Sequence, residues 1–347
     1  MSFTLFRRLA LALYALLAMN YVAAQLPSNA PSIDPQPVVE SRSLNDWLVR
    51  MREASRSRSY IGTFVVSSGG TMSSAKIWHA CEGKEQMERV ETLTGAPRSI
   101  FRHNGQVVTF MPENKVARVE KLDPPGQFPQ VFQSGDNRIA DFYKVRQDGI
   151  ERIAGADADI IVLEPKDKLR FGFRVWAERK SGLVLKLQTL DTDGRVLEQA
   201  AFSELQLDAP VRIDKLVQMM GNTEGWRVEK PLLIKTTANA EGWLLKTPVA
   251  GFNSMSCYKR PVAAAGNPPG SAVAGEGSLQ WIFSDGLASV SIFVEPLDRQ
   301  RRFREASLSM GATQTLSRQF DVYWITVMGE VPMPTLRLFA DGLERKK

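Results

Sequence analysis

The chain has 347 residues, of which 44% are hydrophobic and 24% charged, and its formal net charge is +6. These fractions are ordinary for a globular protein and exclude a wholly disordered chain, a collagen and a polytopic membrane protein. The length predicts two domains of usual size. The small excess of base is spread along the chain, so nucleic acid is not expected as a partner.

The first 24 residues have the three parts of a secretory signal peptide. Arg7 and Arg8 precede an apolar run at 9–18, and small residues end the segment at Ala24. The apolar run is shorter than the ~20 residues of a membrane-spanning helix, which favours cleavage over an uncleaved anchor. We therefore predict a signal peptide at 1–24, followed by a flexible polar leader at 25–42, and a mature protein that is exported and soluble.

A helix followed by a meander of short strands is predicted next. Ser43 suits an N-cap, and Leu44, Trp47, Leu48 and Met51 recur on one helical face. From Tyr60 the apolar period changes to two, which is typical of strands, and turn residues separate the runs. The predicted strands are 60–66, 72–79, 86–93, 99–102, 106–111 and 116–119. This pattern indicates a barrel or a curved antiparallel sheet.

A Pro- and Gly-rich loop interrupts the meander at 122–137. It carries Phe128 and Phe132, which suit a binding loop or, alternatively, two rings that plug the edge of the core. Strands are predicted again at 150–153, 159–163, 171–177, 183–190 and 196–202. The Gly-containing junction that follows predicts a first domain at 43–207 and a linker at 208–226.

The last part, 227–347, predicts a smaller α+β domain. Its expected strands lie at 235–246, 251–260, 279–283, 288–294 and 322–328, and an Ala-, Gly- and Pro-rich loop lies at 263–277. Pro334 suits the first position of a final helix that carries Leu336, Phe339 and Leu343.

Signals for catalysis are sparse. The chain has two histidines and two cysteines, and no nucleophile-elbow, zincin, Walker or dinucleotide-binding spacing occurs. His79 and Cys81 could form a thiol–imidazole pair, but no residue is suggested that would orient the imidazole. The acidic stretch at 191–194 suits a hairpin turn better than a calcium-binding loop. We predict no enzyme, no metal and no cofactor.

The two cysteines leave two possibilities open. Cys81 and Cys257 fall in different predicted domains of an exported chain, so an inter-domain disulfide is chemically allowed. Two separate buried thiols are the alternative.

Two features predict binding. Strands between 171 and 190 are apolar on both faces, as in a sheet that is covered by helices or curled around an apolar ligand. The candidate lining residues are Phe64, Trp78, Phe110, Phe128, Phe132 and Trp176. Separately, Arg299, Arg301, Arg302 and Arg304 suit the phosphates or carboxylates of an acidic partner or a lipid headgroup, or simply form a solvated surface.

Several short motifs, in this order, resemble the MucB/RseB family, which comprises periplasmic regulators of the sigma-E type envelope stress response. The motifs are YIGTF at 60–64, GAPR at 95–98, VW at 175–176, LDTDG at 190–194, FSDGL at 283–287, SVSI at 289–292 and VMGEVP at 327–332. The likeness spans about Leu44 to Leu343.

The resemblance implies an unclosed antiparallel β-barrel with helices, similar to the lipoprotein carriers LolA and LolB, beside a smaller α+β domain. It implies a soluble periplasmic protein that binds the periplasmic domain of a single-pass membrane anti-sigma factor and shields it from site-1 proteolysis. It also implies release by lipopolysaccharide or acylated lipid, self-association into a homo-oligomer, and no catalytic residues. A lipid or lipoprotein carrier of the LolA type is the alternative function.

Overall fold

The computed structural model describes residues 42–83, 85–121, 128, 138–261, 277–297 and 304–346. Some predictions concern segments outside these residues, namely the signal peptide, the leader up to residue 41, the loop at 263–276, Phe132, Arg299, Arg301 and Arg302.

The first helix, α1 (Leu44–Ser57), begins at the predicted N-cap. The Asp46 amide donates to Ser43 Oγ at 3.2 Å, and the Ser43 amide donates to Asp46 Oδ2 at 3.1 Å. This reciprocal capping box satisfies donors that the first turn leaves without helical partners. The four residues of the predicted apolar face, Leu44 among them, are all buried.

Twelve strands form the first sheet, and two more helices lie between them along the chain. The elements are β1 (Tyr60–Ser68), β2 (Thr71–Glu82), β3 (Glu85–Thr92), β4 (Ser99–His103), β5 (Gln106–Met111), β6 (Val116–Glu120), α2 (Ile139–Phe142), β7 (Tyr143–Ile153), β8 (Ala156–Pro165), β9 (Gly172–Glu178), β10 (Val184–Leu190), β11 (Val196–Leu207), α3 (Ile213–Gly221) and β12 (Arg227–Glu229). A short 3₁₀ turn at Pro112–Asn114 precedes β6.

The first sheet is an unclosed curve of almost entirely antiparallel strands. Its order is β12-β6-β5-β4-β3-β2-β1-β11-β10-β9-β8-β7, with β7 and β12 at the two edges. The only parallel pair among its described strands joins β12 to β6. The predicted unclosed antiparallel meander is confirmed.

Strand β7 is longer than predicted, because it begins at Tyr143 rather than at Ile150. In its first half Tyr143 is buried and Val145 half-buried, and they alternate with the exposed Lys144 and Arg146, but this alternation ends at Gln147. The pairing with β8 shifts register between Gln147 and Ile150, where Gly149 has φ +107°. A bulge of this kind hides a strand from pattern analysis.

Two helices pack on the first sheet at different places. Helix α1 joins a buried cluster with Ile161, Phe173 and Val175 of β8 and β9. Helix α3, which falls within the predicted linker, packs Leu216 and Met220 against a cluster on β2 to β6. Strand β12 lies in the predicted second domain along the chain, yet it pairs with the first sheet.

The second sheet has seven strands, and a separate two-stranded pair and a helix lie beside it. The elements are β13 (Ile234–Thr236), β14 (Trp243–Leu245), β15 (Asn253–Arg260), β16 (Ser278–Ser284), β17 (Ser289–Pro296), β18 (Ala306–Met310), β19 (Thr313–Phe320), β20 (Tyr323–Gly329), α4 (Met333–Gly342) and β21 (Leu343–Arg345). The sheet order is β13-β15-β16-β17-β20-β19-β18, and β14 pairs with β21.

The α+β nature of this part is confirmed, with differences at particular elements. The predicted strand at 235–246 is divided by a turn at Ala238–Gly242, so β13 and β14 belong to different sheets. Leu343 lies in β21 rather than in the last helix. The hairpin of β18 and β19 was not predicted, because β18 is only five residues long and its alternation spans just three apolar residues, all of them exposed. Leu336 and Phe339 of α4 are fully buried, as expected.

Candidate binding sites

The aromatic candidates separate into two buried clusters. Phe64 and Trp176 belong to one cluster, and Phe128, from the segment that follows β6, packs against it. The ring centroid of Phe128 lies 5.5 Å from that of Phe64 and 5.2 Å from that of Phe202. Phe128 therefore covers an apolar patch on β1 and β11, and we refer to Phe64, Phe128 and Phe202 as the aromatic patch.

Trp78 and Phe110 belong to the other cluster. Ile77 packs with Phe64, and adjacent side chains of a strand point to opposite faces, so Trp78 points the other way. Phe110 contacts Trp226 at 4.9 Å and Phe101 at 5.7 Å between ring centroids. The prediction of one groove for all these aromatics is therefore wrong for Trp78 and Phe110, which pack under α3 instead.

Trp176 is buried and held by polar contacts. Its Nε1 donates to Glu151 Oε2 at 2.5 Å, and the Lys186 ammonium lies 4.1 Å from the ring centroid. A satisfied indole N–H and a cation above the ring fix its orientation. Trp176 is therefore a fixed part of the buried cluster on the first sheet, whereas Phe128 comes from the segment that connects β6 to α2.

Cys81 and Cys257 are free thiols, so the disulfide allowed by the sequence is absent. Cys81 lies on β2 of the first sheet, where its sulfur is 3.7 Å from Ser59 Oγ. Cys257 is buried in the second sheet, and burial raises the pKa of its thiol to about 11. The alternative of two separate buried thiols holds for Cys257, whereas Cys81 is separate but only half-buried.

His79, two positions before Cys81 on β2, is a buried residue of the core. Its ring stacks on Tyr60 at 4.9 Å between centroids, and Nδ1 lies 3.9 Å from Glu88 Oε2. Burial lowers the pKa of His79, and the nearby Glu88 carboxylate opposes that shift. The imidazole is therefore neutral at pH 7 and stabilises packing.

The acidic stretch at 191–194 forms the predicted hairpin turn. Asp191 Oδ1 accepts from the amides of Asp193 and Arg195, each at 2.8 Å. Within the described residues, no group of three or more His, Cys, Asp or Glu side chains is placed to hold a metal ion.

Arg304, the described member of the arginine group, is exposed.

A buried ion pair connects the first sheet to the second. Arg170 lies just before β9, and Asp285 lies in the turn between β16 and β17, and both side chains are 0% exposed. Arg170 Nη1 donates to Asp285 Oδ2 at 2.9 Å, and Nη2 donates to the Ala250 carbonyl at 2.8 Å. The guanidinium also lies 4.4 Å from the centroid of the Phe142 ring.

Asp285 is satisfied on both carboxylate oxygens. Its Oδ1 accepts from the amides of Leu287 at 2.9 Å and Ala288 at 2.7 Å. Burial raises the pKa of Asp285, and these amides together with Arg170 oppose the rise. Gly251 leaves room for the pair, because a Cβ there would lie 2.9 Å from Arg170 Nη2.

Sequence reasoning placed Asp285 in a motif but did not find Arg170. The two residues are 115 positions apart, and nothing in the local pattern around Arg170 indicates burial. A second contact supports the same junction, since Thr335 Oγ1 donates to the Leu169 carbonyl at 2.7 Å.

These features define a protein with an unclosed antiparallel sheet that is joined by buried polar contacts to a smaller α+β part. A family model of the MucB/RseB N-terminal domain matches residues 43–220, and a model of the MucB/RseB C-terminal domain matches residues 237–344. The chain belongs to the MucB/RseB family, which confirms the resemblance in its motifs.

Relatives cover most of the chain. The sigma factor AlgU regulatory protein MucB of Pseudomonas aeruginosa is 29% identical, covering 86% of this chain and 90% of that protein. The sigma-E factor regulatory protein RseB of Salmonella typhimurium is 25% identical, covering 94% and 96%. The structure of the Pseudomonas aeruginosa MucA/MucB complex matches with a TM-score of 0.67 at 27% identity, covering 87% of this chain and 99% of that chain. The family is one of regulatory binding proteins rather than enzymes.

Proposed function

We propose that the mature chain is a periplasmic negative regulator that binds the periplasmic domain of a single-pass membrane anti-sigma factor. The observation that carries the proposal is the match along almost the whole chain to MucB in its complex with MucA. The signal-peptide pattern at 1–24 is consistent with export. No helix within the described residues has the length and apolar character needed to cross a bilayer.

Binding controls the sigma factor by blocking proteolysis. A bound regulator covers the anti-sigma segment, and a site-1 protease needs that segment extended and accessible. While the segment is covered, the anti-sigma factor remains intact and the sigma-E type factor remains inactive.

Lipid is the proposed signal for release, and the aromatic patch is the structural support for it. Phe128 packs over Phe64 and Phe202 from a connecting segment, so displacement of one ring would expose apolar surface to an acyl chain. Lipopolysaccharide supplies acyl chains together with phosphates, which suit Arg299, Arg301, Arg302 and Arg304. Self-association into a homo-oligomer belongs to the same proposal.

Capture from membranes tests the function. A tagged chain of residues 25–347 is incubated with gently solubilised membranes, and proteins and lipids in the eluate are identified by mass spectrometry. We expect a single-pass anti-sigma factor that is lost when lipopolysaccharide is added. Abundant acylated lipid or lipoprotein without such a factor would overturn the proposal and support the carrier alternative.

Two variants test the lipid part separately. Phe128→Ala should retain capture of the anti-sigma factor and need less lipopolysaccharide for release, because no ring then has to be displaced before an acyl chain reaches Phe64 and Phe202. Leu93→Ala, a change at an exposed apolar residue outside the patch, is the control. Charge reversal of the four arginines should weaken the lipopolysaccharide effect, and an unchanged response would remove them from the account.

A further inference from the structure

An apolar cavity of about 570 Å³ opens at one edge of the second sheet. It lies between the turn that precedes β14 and the first half of β15. Trp243, Phe252, Trp281 and Phe283 line it, together with the buried Cys257. Its volume is within the range of roughly 300–1,000 Å³ typical of ligand sites, so it can hold one or two large apolar side chains.

The strand beside the cavity has an open edge. Strand β13 pairs with β15 only at Cys257–Lys259, whereas β16 pairs with β15 along its whole length. On the side away from β16, no described strand pairs with residues 253–256. Backbone amides and carbonyls at such an edge can pair with an added strand.

The first half of β15 also differs from the rest of the strand in side-chain exposure. Its pairing with β16 shifts register between Ser254 and Ser256, and Met255 is 64% exposed. A bulge deters unspecific edge pairing, since it limits the register that an incoming strand can adopt.

The charge at the cavity favours an acidic partner. Lys235 is the only charged residue among the described ones that line the cavity, and it forms no ion pair with a described residue. Glu241, on the neighbouring turn, is already engaged by Lys259 at 2.9 Å and Thr236 at 3.0 Å. A carboxylate brought to this edge would meet an ammonium that pairs with no described residue.

We infer that this edge binds an extended peptide segment of a protein partner that combines an acidic side chain with a large apolar one. The segment pairs with residues 253–256 of β15, places its apolar side chain in the cavity and its carboxylate near Lys235. The inference rests on the proposed function, because it assigns the docking surface for the periplasmic domain of the anti-sigma factor.

Other occupants fit these observations less well. An acyl chain would fill the cavity but make no use of the open backbone edge. A second copy paired edge to edge about a two-fold axis would bring two Lys235 side chains to one interface, and like charges there are unfavourable.

Site-specific photo-crosslinking tests the surface in the full mature chain. A photoreactive amino acid replaces Met255 in one variant and Met72 in another. Met72 is the matched control, since it is a 72% exposed methionine on β2 of the first sheet. Each variant is incubated with the anti-sigma factor that the wild-type chain captures. We expect strong crosslinks from position 255 to an extended acidic and apolar segment of that factor, and few from position 72.

Charge reversal provides a second measurement. Lys235→Glu should weaken binding of the same factor roughly fivefold, as expected for reversing an exposed charge. Lys144→Glu makes the same change on exposed β7 and should leave affinity unchanged. Ser256→Trp should fill the cavity and weaken binding further, with circular dichroism used to check that the variant is folded.

The outcomes separate the two claims. Capture of the anti-sigma factor with equal crosslinking at both positions would overturn this inference and leave the proposed function intact. Crosslinks at position 255 to lipid or to a second copy would also overturn it. Failure of the wild-type chain to capture any anti-sigma factor would overturn the proposed function and the inference together.

Discussion

Arg170 and Asp285 are fully buried charges that pair with each other, and Arg170 Nε also donates to Asp167 Oδ1 at 3.0 Å. Removing one member of a buried pair so that the other charge is left without compensation costs about 3–5 kcal/mol. Arg170→Met should lower the free energy of unfolding by that order, and Asp285→Asn by less, because Asp167 still pairs with Arg170. The double variant should lose clearly less than the two single losses combined. Urea denaturation of all four proteins measures this coupling, and strictly additive losses would show that the pair does not act as a unit.

His79 gives the folded protein a predictable response to acid. Its pKa is lowered in the folded state from the usual 6.5, mainly by burial. Below about pH 6.5 the unfolded chain therefore binds a proton that the folded chain resists, so stability falls as the pH falls through this range. The effect ends once the pH drops below the folded pKa, and each unit of pKa difference is worth about 1.4 kcal/mol.

The variant His79→Phe tests this response, because it retains a ring that can stack on Tyr60 and removes the titrating group. Between pH 7 and pH 5 the wild-type chain should lose more stability in urea than the variant does. Parallel losses in the two proteins would show that His79 does not contribute to the acid response.

At the level of single elements, the start of α1 depends on its capping box. Ser43→Ala removes the acceptor of the Asp46 amide and should lower the free energy of unfolding by about 1 kcal/mol, within a range of roughly 0.5–2. Ser73→Ala, at an exposed position of β2, is the matched control and should change stability little. Equal small effects of the two changes would mean that α1 is held by its apolar face alone.

Elements with a sustained apolar period were predictable, and elements with a short or interrupted one were not. Leu44, Trp47, Leu48 and Met51 identified α1, and alternation identified β1 to β6. Strand β18 is too short for its three apolar residues to form a clear pattern, and in β7 the bulge between Gln147 and Ile150 interrupts the alternation that begins at Tyr143. Among the aromatic candidates, Phe64, Phe110 and Trp176 are buried and Trp78 and Phe128 are partly buried. A period of two also requires that Ile77 and Trp78 face opposite ways, which divides the candidates between two clusters. Arg170 could not be found, since its partner is set by the packing of distant segments.

At the scale of the whole molecule, the proposed lipid-linked release would not require the two sheets to separate. A tenfold change in partner affinity needs only about 1.4 kcal/mol of coupling. Breaking the Arg170–Asp285 pair would cost about 3–5 kcal/mol, so a smaller rearrangement is favoured. The proposed displacement of the Phe128 ring from Phe64 and Phe202 is of that smaller kind, and it would leave the junction intact.

The stability of the anti-sigma factor in cells tests the central claim most directly. Its half-life is measured after synthesis is stopped, in cells with the wild-type gene, without it, and with the gene restored. We predict rapid loss of the anti-sigma factor and a rise in sigma-E type transcription only when the regulator is absent. An unchanged half-life in cells without the regulator would contradict the account.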